Sequence, residues 1–307
     1  MAAIAAHPSA RRERSLAAFL GSERLDAGAM ILPGLVLYAA LVIVPVFQTV
    51  MLSFQNWDGI AANRDFIGFA NYAAVIGSSR FWRAFGNNVL WAALSVLPLV
   101  LGLVLATILV QGRIWGSTFF RVCFVLPFTL SQVIVAVIWT WIYQPEWGTV
   151  NTLLSLAGLD GLTRSWLSDP DTALIAMNLV GSWTWFGFCM VIFMAGLQSI
   201  PGEIYDAADV DGASGLQKFF YLTVPMLRSQ IRMLAIVTLI FSFKVFDLVF
   251  VMTKGGPFQS SEVLGLLIYL QGFTLYKIGY ASATALVLTV LVFSISFLVY
   301  RQTGRDA

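Results

Sequence analysis

Six long apolar stretches alternate with short polar segments along this chain, and that alternation sets the first expectation. They run over Ala29–Phe54, Asn88–Val110, Thr118–Tyr143, Ala173–Leu197, Ile231–Met252 and Tyr280–Tyr300. Each approaches or exceeds the roughly 20 helical residues that span a bilayer core. Each is too long for a strand and is bounded by Gly, Pro or charge. The pattern predicts an all-α integral membrane protein with six transmembrane helices. The first stretch is too long for a secretory signal core and is not followed by a clear small-residue cleavage site, so it reads as an anchor that stays. Pro33, Pro45, Pro98 and Pro127 fall inside or near spans, where each removes a backbone donor and can kink its helix. No internal repeat is visible. The expected organisation is a tail over 1–28, a six-helix domain over 29–300 containing a polar loop at 200–227, and a short tail over 301–307.

Composition agrees: 59% of the 307 residues are hydrophobic and 11% are charged. A soluble domain carries about 25% charged residues, so this chain cannot cover its outside with polar groups. The net charge of +2 gives no reason to expect nucleic acid as a partner. Cys123 and Cys189 lie in apolar runs without metal-ligand spacing and read as buried free thiols. The single histidine, His7, lies in the N-terminal tail, so no histidine chemistry and no metal site are expected.

Charge also orients the spans. With the N-terminus inside, Arg11, Arg12, Arg14, Arg24, Arg113, Arg121, Lys218, Arg228, Arg232, Arg301 and Arg305 are inner. Only Arg64, Arg80, Arg83, Arg164, Lys254 and Lys277 are outer. Positive residues favour the cytoplasmic side, so both termini are expected there. Trp57, Trp82, Trp147 and Trp166 then fall near outer helix ends, which suits an interfacial aromatic belt or ordinary packing.

The polar loop between the fourth and fifth stretches has its own local logic. Pro201 suits a helix start. Glu203 and Asp206 suit the positive end of its dipole. Ile204, Ala207 and Ala208 share one helical face. Gly212 can end that helix, Ser214 can cap a second, and Phe219, Phe220 and Leu222 give the second its apolar bulk before Pro225 ends it. Such a short amphipathic helix suits a partner's groove, or it packs beneath its own bundle.

Within that loop, Asp206-Ala207-Ala208-x-x-Asp211-Gly212-Ala213, followed by Phe219 and Pro225, resembles the EAA loop of binding-protein-dependent ABC importer permeases. Asp206 stands where the family usually has Glu, which keeps the charge and shortens the reach. The likeness extends over nearly the whole chain. Phe66-Ile-Gly-Phe-Ala-Asn-Tyr72, Arg80-Phe-Trp-Arg-Ala-Phe-Gly-Asn-Asn88 and Arg121-Val-Cys-Phe-Val-Leu-Pro127 resemble the sugar-importer branch. Lys244-Val-Phe-Asp247 and Met252-Thr-Lys-Gly-Gly-Pro257 resemble maltose and glycerol-phosphate permeases, in the form of the first of the two paired chains.

The resemblance implies a type I ABC importer permease fold whose cytoplasmic coupling helix docks on an ATPase dimer. It implies a second homologous permease, an external solute-binding protein and a sugar-like solute, in a bacterial inner membrane. ATP and Mg would be bound by the ATPase partner, with no cofactor in this chain and no catalysis by it. The chain contains no G-x-x-x-x-G-K-[ST], so it offers no P-loop of its own.

Candidate solute-path residues come from charge and aromatic content in the spans. Lys244 and Asp247 lie three apart and read either as a structural ion pair on one helix or as a border of the solute path, since a charge at membrane depth costs about 2.5–3.5 kcal/mol. Trp183, Trp185 and Phe188 crowd the fourth stretch, where they serve as packing or as a platform for sugar rings, with Gln132 and Ser242 as polar groups. The resemblance adds Phe128 and Phe241, and it favours Phe128, Gln132, Trp185, Phe188 and Ser242 for solute contact. A self-contained ion-coupled secondary transporter is the competing expectation, supported only by Lys244 and Asp247. A membrane-embedded enzyme would need converging acids or a nucleophile.

Overall fold

The apolar stretches fold as helices because lipid offers no partner for a free backbone N–H or C=O. The computed structural model describes residues 30–112 and 114–303, so the tail over 1–28, His7, Arg113 and Arg305 lie outside the described residues. The chain divides into two compact units between Leu52 and Ser53. The first holds all but the last residue of α1 (Met30–Ser53), which is long and apolar enough to cross a membrane and has nearly all its side chains exposed. A widened turn at Ala39–Ile43, in which Val44 N–H reaches Ala39 C=O, precedes Pro45. Such a turn accommodates a proline that would otherwise collide with the preceding carbonyl.

The second unit opens with a two-stranded antiparallel ribbon, Gln55–Asn56 against Asp65–Phe66. It continues with α2 (Ala70–Ile76), α3 (Ser79–Leu94), α4 (Val96–Gln111), α5 (Ser117–Thr129), α6 (Gln132–Ile142), α7 (Thr149–Leu156) and α8 (Ala173–Gln198). The polar loop holds α9 (Gly202–Val210) and α10 (Gly215–Lys218), and α11 (Arg228–Lys244), α12 (Asp247–Met252), α13 (Leu264–Tyr269) and α14 (Ile278–Thr303) complete the unit.

Three expected spans are interrupted. The second belongs to a 33-residue helical stretch, Ser79–Gln111, that starts before Asn88 and breaks at Ser95 just ahead of Pro98. The third is a pair, α5 and α6, bent by 100° at Leu130 and Ser131. Both of those residues have extended backbone, and Pro127 precedes them. The fifth leaves the helix at Val245 and Phe246. With the bent pair taken as one span, the described residues hold up to six.

Glycines set the helix spacing. A Cβ at Gly102 of α4 would lie 2.7 Å from Cys189 Cβ and 2.8 Å from Met190 N on α8. A Cβ at Gly187 of α8 would overlap the Phe124 carbonyl of α5. Close backbone approach is how helices gain packing energy where no hydrophobic effect separates protein from lipid. Cys189 is buried in this contact, but Cys123 is exposed on α5, contrary to the expectation of two buried thiols. Trp166 is half-buried and fits the packing alternative: its indole donates to Asn151 Oδ1 at 2.8 Å. Trp82 and Trp147 are exposed, as an interfacial role requires.

Polar side chains tie the broken helices together. Asn88 donates to the Ser242 carbonyl at 2.9 Å and accepts from Leu264 N–H at 2.8 Å, so one buried amide joins α3, α11 and α13. Arg80 makes a two-pronged bond to the buried Glu262 at 2.8 and 2.6 Å. Asn87 donates to the Ser260 and Glu262 carbonyls on the same segment.

Candidate functional site

The three interruptions converge on one cavity of about 600 Å³ in the second unit. Irregular backbone at membrane depth is tolerated where it is buried in protein or lines a wet cavity, and here it lines the cavity. The bend after Thr129 brings Phe128 from α5 and Gln132 from α6 to the wall. The break after Lys244 brings Lys244 and Asp247, and the break at Ser95 brings Trp91, Ser95 and Pro98. The middle of α8 supplies Ser182, Thr184, Trp185 and Phe188.

The aromatic wall is a packed set. Trp185 lies 4.9 Å from Phe188, 4.9 Å from Phe241 and 5.8 Å from Phe128, ring centre to ring centre, and Phe128 stacks on Phe188 at 5.0 Å. Trp185 is held by its indole N–H, which donates to Thr238 Oγ1 at 2.9 Å. Ser242 donates to the Thr238 carbonyl at 2.8 Å, one turn earlier on α11. The Gln132 amide reaches Thr184 Oγ1 at 3.4 Å, a long bond that leaves most of its capacity free. Phe241 also lies beneath the Lys244 ammonium, 5.9 Å from the ring centre.

Of the nine expected path residues, Phe128, Gln132, Trp185, Phe188, Phe241, Ser242, Lys244 and Asp247 all line this cavity. Trp183 does not. It packs at 5.5 Å against Trp139, in an apolar cluster that also includes the wall residues Trp91 and Leu248. Lys244 and Asp247 share no helix and form no ion pair: among the described residues, ion pairs join Arg80 to Glu262 and Lys218 to Asp209. Lys244 ends α11, Asp247 begins α12, and both charged groups are exposed. Trp91, Ser95, Ser182, Thr184 and Thr238 are among the wall residues that sequence reasoning missed. Thr238 lies four residues before Ser242, and that spacing on a helix was the available signal.

At one end of α8 the loop forms the expected pair of short helices. Pro201 caps α9, and α9 ends in a reciprocal turn: Ala213 N–H bonds to Ala208 C=O at 2.9 Å and Gly212 N–H to Asp209 C=O at 3.1 Å. That turn needs a left-handed residue, and Gly212 has φ +75°. Ser214 and Gln217 form a capping box on α10. Lys218 Nζ meets Asp209 Oδ1 at 2.6 Å, and Tyr205 bonds Thr223 at 3.1 Å. Phe219 packs on the cluster around Leu197 and Leu227. Asp206 and Asp211 are exposed, and Ala213 is half-buried.

Two expectations about the loop change. Ala208 is half-buried with Ile204, whereas Ala207 and Val210, the latter 88% exposed, face outward, and Leu216 on α10 is exposed too. Pro225 does not end a helix either. A widened turn at Phe219–Thr223 lets the helical path continue through Pro225 to Met226.

Comparison with known proteins decides the family. The pattern of the binding-protein-dependent transport system inner membrane component matches residues 98–305. The chain belongs to this family. It is an ABC importer permease. It is 37% identical over 286 residues to the probable ABC transporter permease protein YurN of Bacillus subtilis, covering 90% of this chain and 98% of that one. It is 37% identical over 272 residues to the multiple sugar-binding transport system permease protein MsmF of Streptococcus mutans, covering 88% and 92%. It is 32% identical over 277 residues to the trehalose/maltose transport system permease protein MalF of Thermococcus litoralis, covering 90% and 92%. The permease fold is shared with a bacterial ABC transporter for alginate at a TM-score of 0.78 and 23% identity, over 95% of this chain and 99% of that one.

Proposed function

We propose that this permease carries a neutral, hydroxyl-rich solute of the sugar class through the cavity at Trp185, in an importer driven by a separate ATPase dimer. The observation that carries the reading is the wall itself. Four aromatic rings stand beside the Gln132 carboxamide, two threonines and three serines, which is the chemistry that holds a sugar by its apolar faces and its hydroxyls. Lys244 and Asp247, each without an ion partner among the described residues, add a donor and an acceptor to the same wall. Relatives named for sugar transport support the solute class.

In this reading the loop over 200–227 docks on the ATPase through the outward face of Ala207, Val210 and Leu216. Asp206 and Asp211 flank that face, and the turn at Gly212 fixes its angle. The chain itself hydrolyses nothing; ATP and Mg belong to the partner. A second homologous permease completes the path, and an external binding protein delivers the solute. The loop end and both termini are cytoplasmic, in a bacterial inner membrane, as the basic residues favour.

The test uses the complex purified through a tag on this chain and reconstituted with ATP and labelled neutral oligosaccharides. Trp185→Ala and Gln132→Ala are expected to impair uptake and change solute preference while the ATPase still co-purifies. Unchanged transport kinetics in both variants would overturn the assigned path. Recovery of the chain without any ATPase, or uptake that needs only an ion gradient, would favour a self-contained secondary transporter.

A further inference from the structure

A second pocket, of about 370 Å³, lies on the far side of the cavity from the polar loop. Its wall includes Thr140, Tyr143 and Gln144 from the end of α6, Ser165 and Ser168 from the segment before α8, and Thr253 after α12. The same elements run from one pocket to the other. On α6, Gln132 lines the cavity and Thr140 the second pocket, about 12 Å further along at 1.5 Å per residue. The six residues of α12 cover the same passage, from Asp247 to Met252. On α8, the cavity is at Ser182, the second pocket precedes the first turn, and the polar loop follows the last.

What lies between the pockets is apolar: Val135, Trp139, Met177, Val180 and Val249 belong to one packed cluster, and Trp183 joins it through Trp139. The second pocket is different in kind. Its wall has no Lys, Arg, Asp or Glu. Among the described residues, the side chains of Gln144, Ser165 and Ser168 have no hydrogen-bond partner. Thr140 spends its proton on the Ala136 carbonyl and keeps its lone pairs. Beside these lie the Tyr143 ring and the flat faces of Pro145 and Pro257.

We infer that this pocket is an outer subsite, in series with the cavity, for a neutral hydroxylated solute, with the Trp139–Trp183 pair as the apolar barrier between them. The inference rests on the sugar-class reading of the cavity. An uncharged wall with free hydroxyls and a carboxamide matches hydroxyl donors and acceptors and offers nothing to neutralise an ionic solute.

Solute protection of single cysteines tests it, in the full reconstituted complex on a Cys123→Ser background. Ser168→Cys reports the second pocket, Ser165→Cys repeats it should the first variant fail to assemble, and Phe241→Cys reports the cavity. The probes are maltose, trehalose and raffinose, and the readout is the rate of modification by a charged thiol reagent. The expected result is that a probe slows labelling at Ser168→Cys about tenfold at ten times its dissociation constant, including when Trp185→Ala removes the cavity platform. Adding Gln144→Ala should raise the half-protecting concentration at Ser168→Cys about fivefold to tenfold and leave that at Phe241→Cys unchanged. Protection at Phe241→Cys alone overturns the second subsite and leaves the cavity reading standing. Protection at neither position by any of the three sugars overturns both.

Discussion

Gly212 allows the proposed coupling turn to be tested by conformation separately from size. Its φ of +75° is left-handed, and a Cβ built on it meets nothing within 4 Å. A substitution there therefore clashes with nothing, and its whole cost is the cost of the left-handed backbone. For Ala that is roughly 1–2 kcal/mol, a factor of about 5–30 in the population of the turn. Val costs more because its branched Cβ crowds the following carbonyl, and Asn costs less because its side chain supports that conformation. Conformational control thus predicts the order Gly, Asn, Ala, Val. Control by bulk predicts Ala above Asn and Val, which have similar size.

The factor of about 5–30 is an upper bound on the loss of ATPase affinity, because the capping box and the Lys218–Asp209 pair also hold the turn. The assay is ATPase recovery on the tagged chain, with solute-stimulated hydrolysis and uptake, for Gly212→Asn, Gly212→Ala and Gly212→Val at equal membrane expression. Insertion should be unchanged, since the loop lies outside the spans. Normal coupling in Gly212→Val, or Gly212→Asn behaving like Gly212→Val, would refute the argument.

Three further outcomes follow from the packing. Arg80→Met should lower complex stability by about 2–4 kcal/mol, because Glu262, 2% exposed, keeps its charge without its partner, whereas adding Glu262→Leu should restore much of the loss in a thermal unfolding series. Lys244→Met and Asp247→Asn should each change uptake KM, with effects that add in the double variant, since the two groups form no ion pair; a large coupling energy would contradict this placement. Gly196→Leu should leave the ATPase attached but reduce uptake several-fold, because a Cβ at Gly196 lies 2.7 Å from Leu227 Cδ2 and 2.9 Å from the Gln230 side chain, and larger groups must pry α8 from α11.

Hydropathy made the spans legible because it averages over about 20 residues, and for the same reason it hid their breaks. Two extended residues at Leu130–Ser131 and two non-helical ones at Val245–Phe246 barely change such an average, yet they build the cavity. Lys244 and Asp247 consequently looked like one helical turn. Pro127 was the visible hint for the first break, and nothing comparable marks the second. Trp183 lies outside the residues that line the cavity. Residues three apart on a helix share a face, as Trp185 and Phe188 do, whereas Trp183 points about 200° from Trp185 and meets Trp139 instead. The loop was legible almost residue by residue because turn and cap chemistry is local: Pro201, Gly212 and Ser214 occupy the roles their side chains dictate.

The connection between loop and cavity follows from chain order. The helix that enters the loop, α8, carries Ser182, Thr184, Trp185 and Phe188, and the helix that leaves it, α11, carries Thr238, Phe241, Ser242 and Lys244. From Phe188 to Gln198 is ten helical residues, and from Arg228 to Thr238 another ten, so each wall stands about 15 Å from the loop along an uninterrupted helix. At the loop end the two helices are locked, with Gly196 against Leu227 and Gln230. Beyond the cavity α8 continues unbroken to Ala173, whereas α11 stops at Lys244 and the chain re-enters as α12. A displacement of the loop would therefore move both walls together, and on the α11 path it would be absorbed at Val245–Phe246, where two backbone residues already lie outside the helix. The Trp185–Thr238 bond spans those two walls at the level of the solute, so it reports whether α8 and α11 keep their relative register as the transporter cycles.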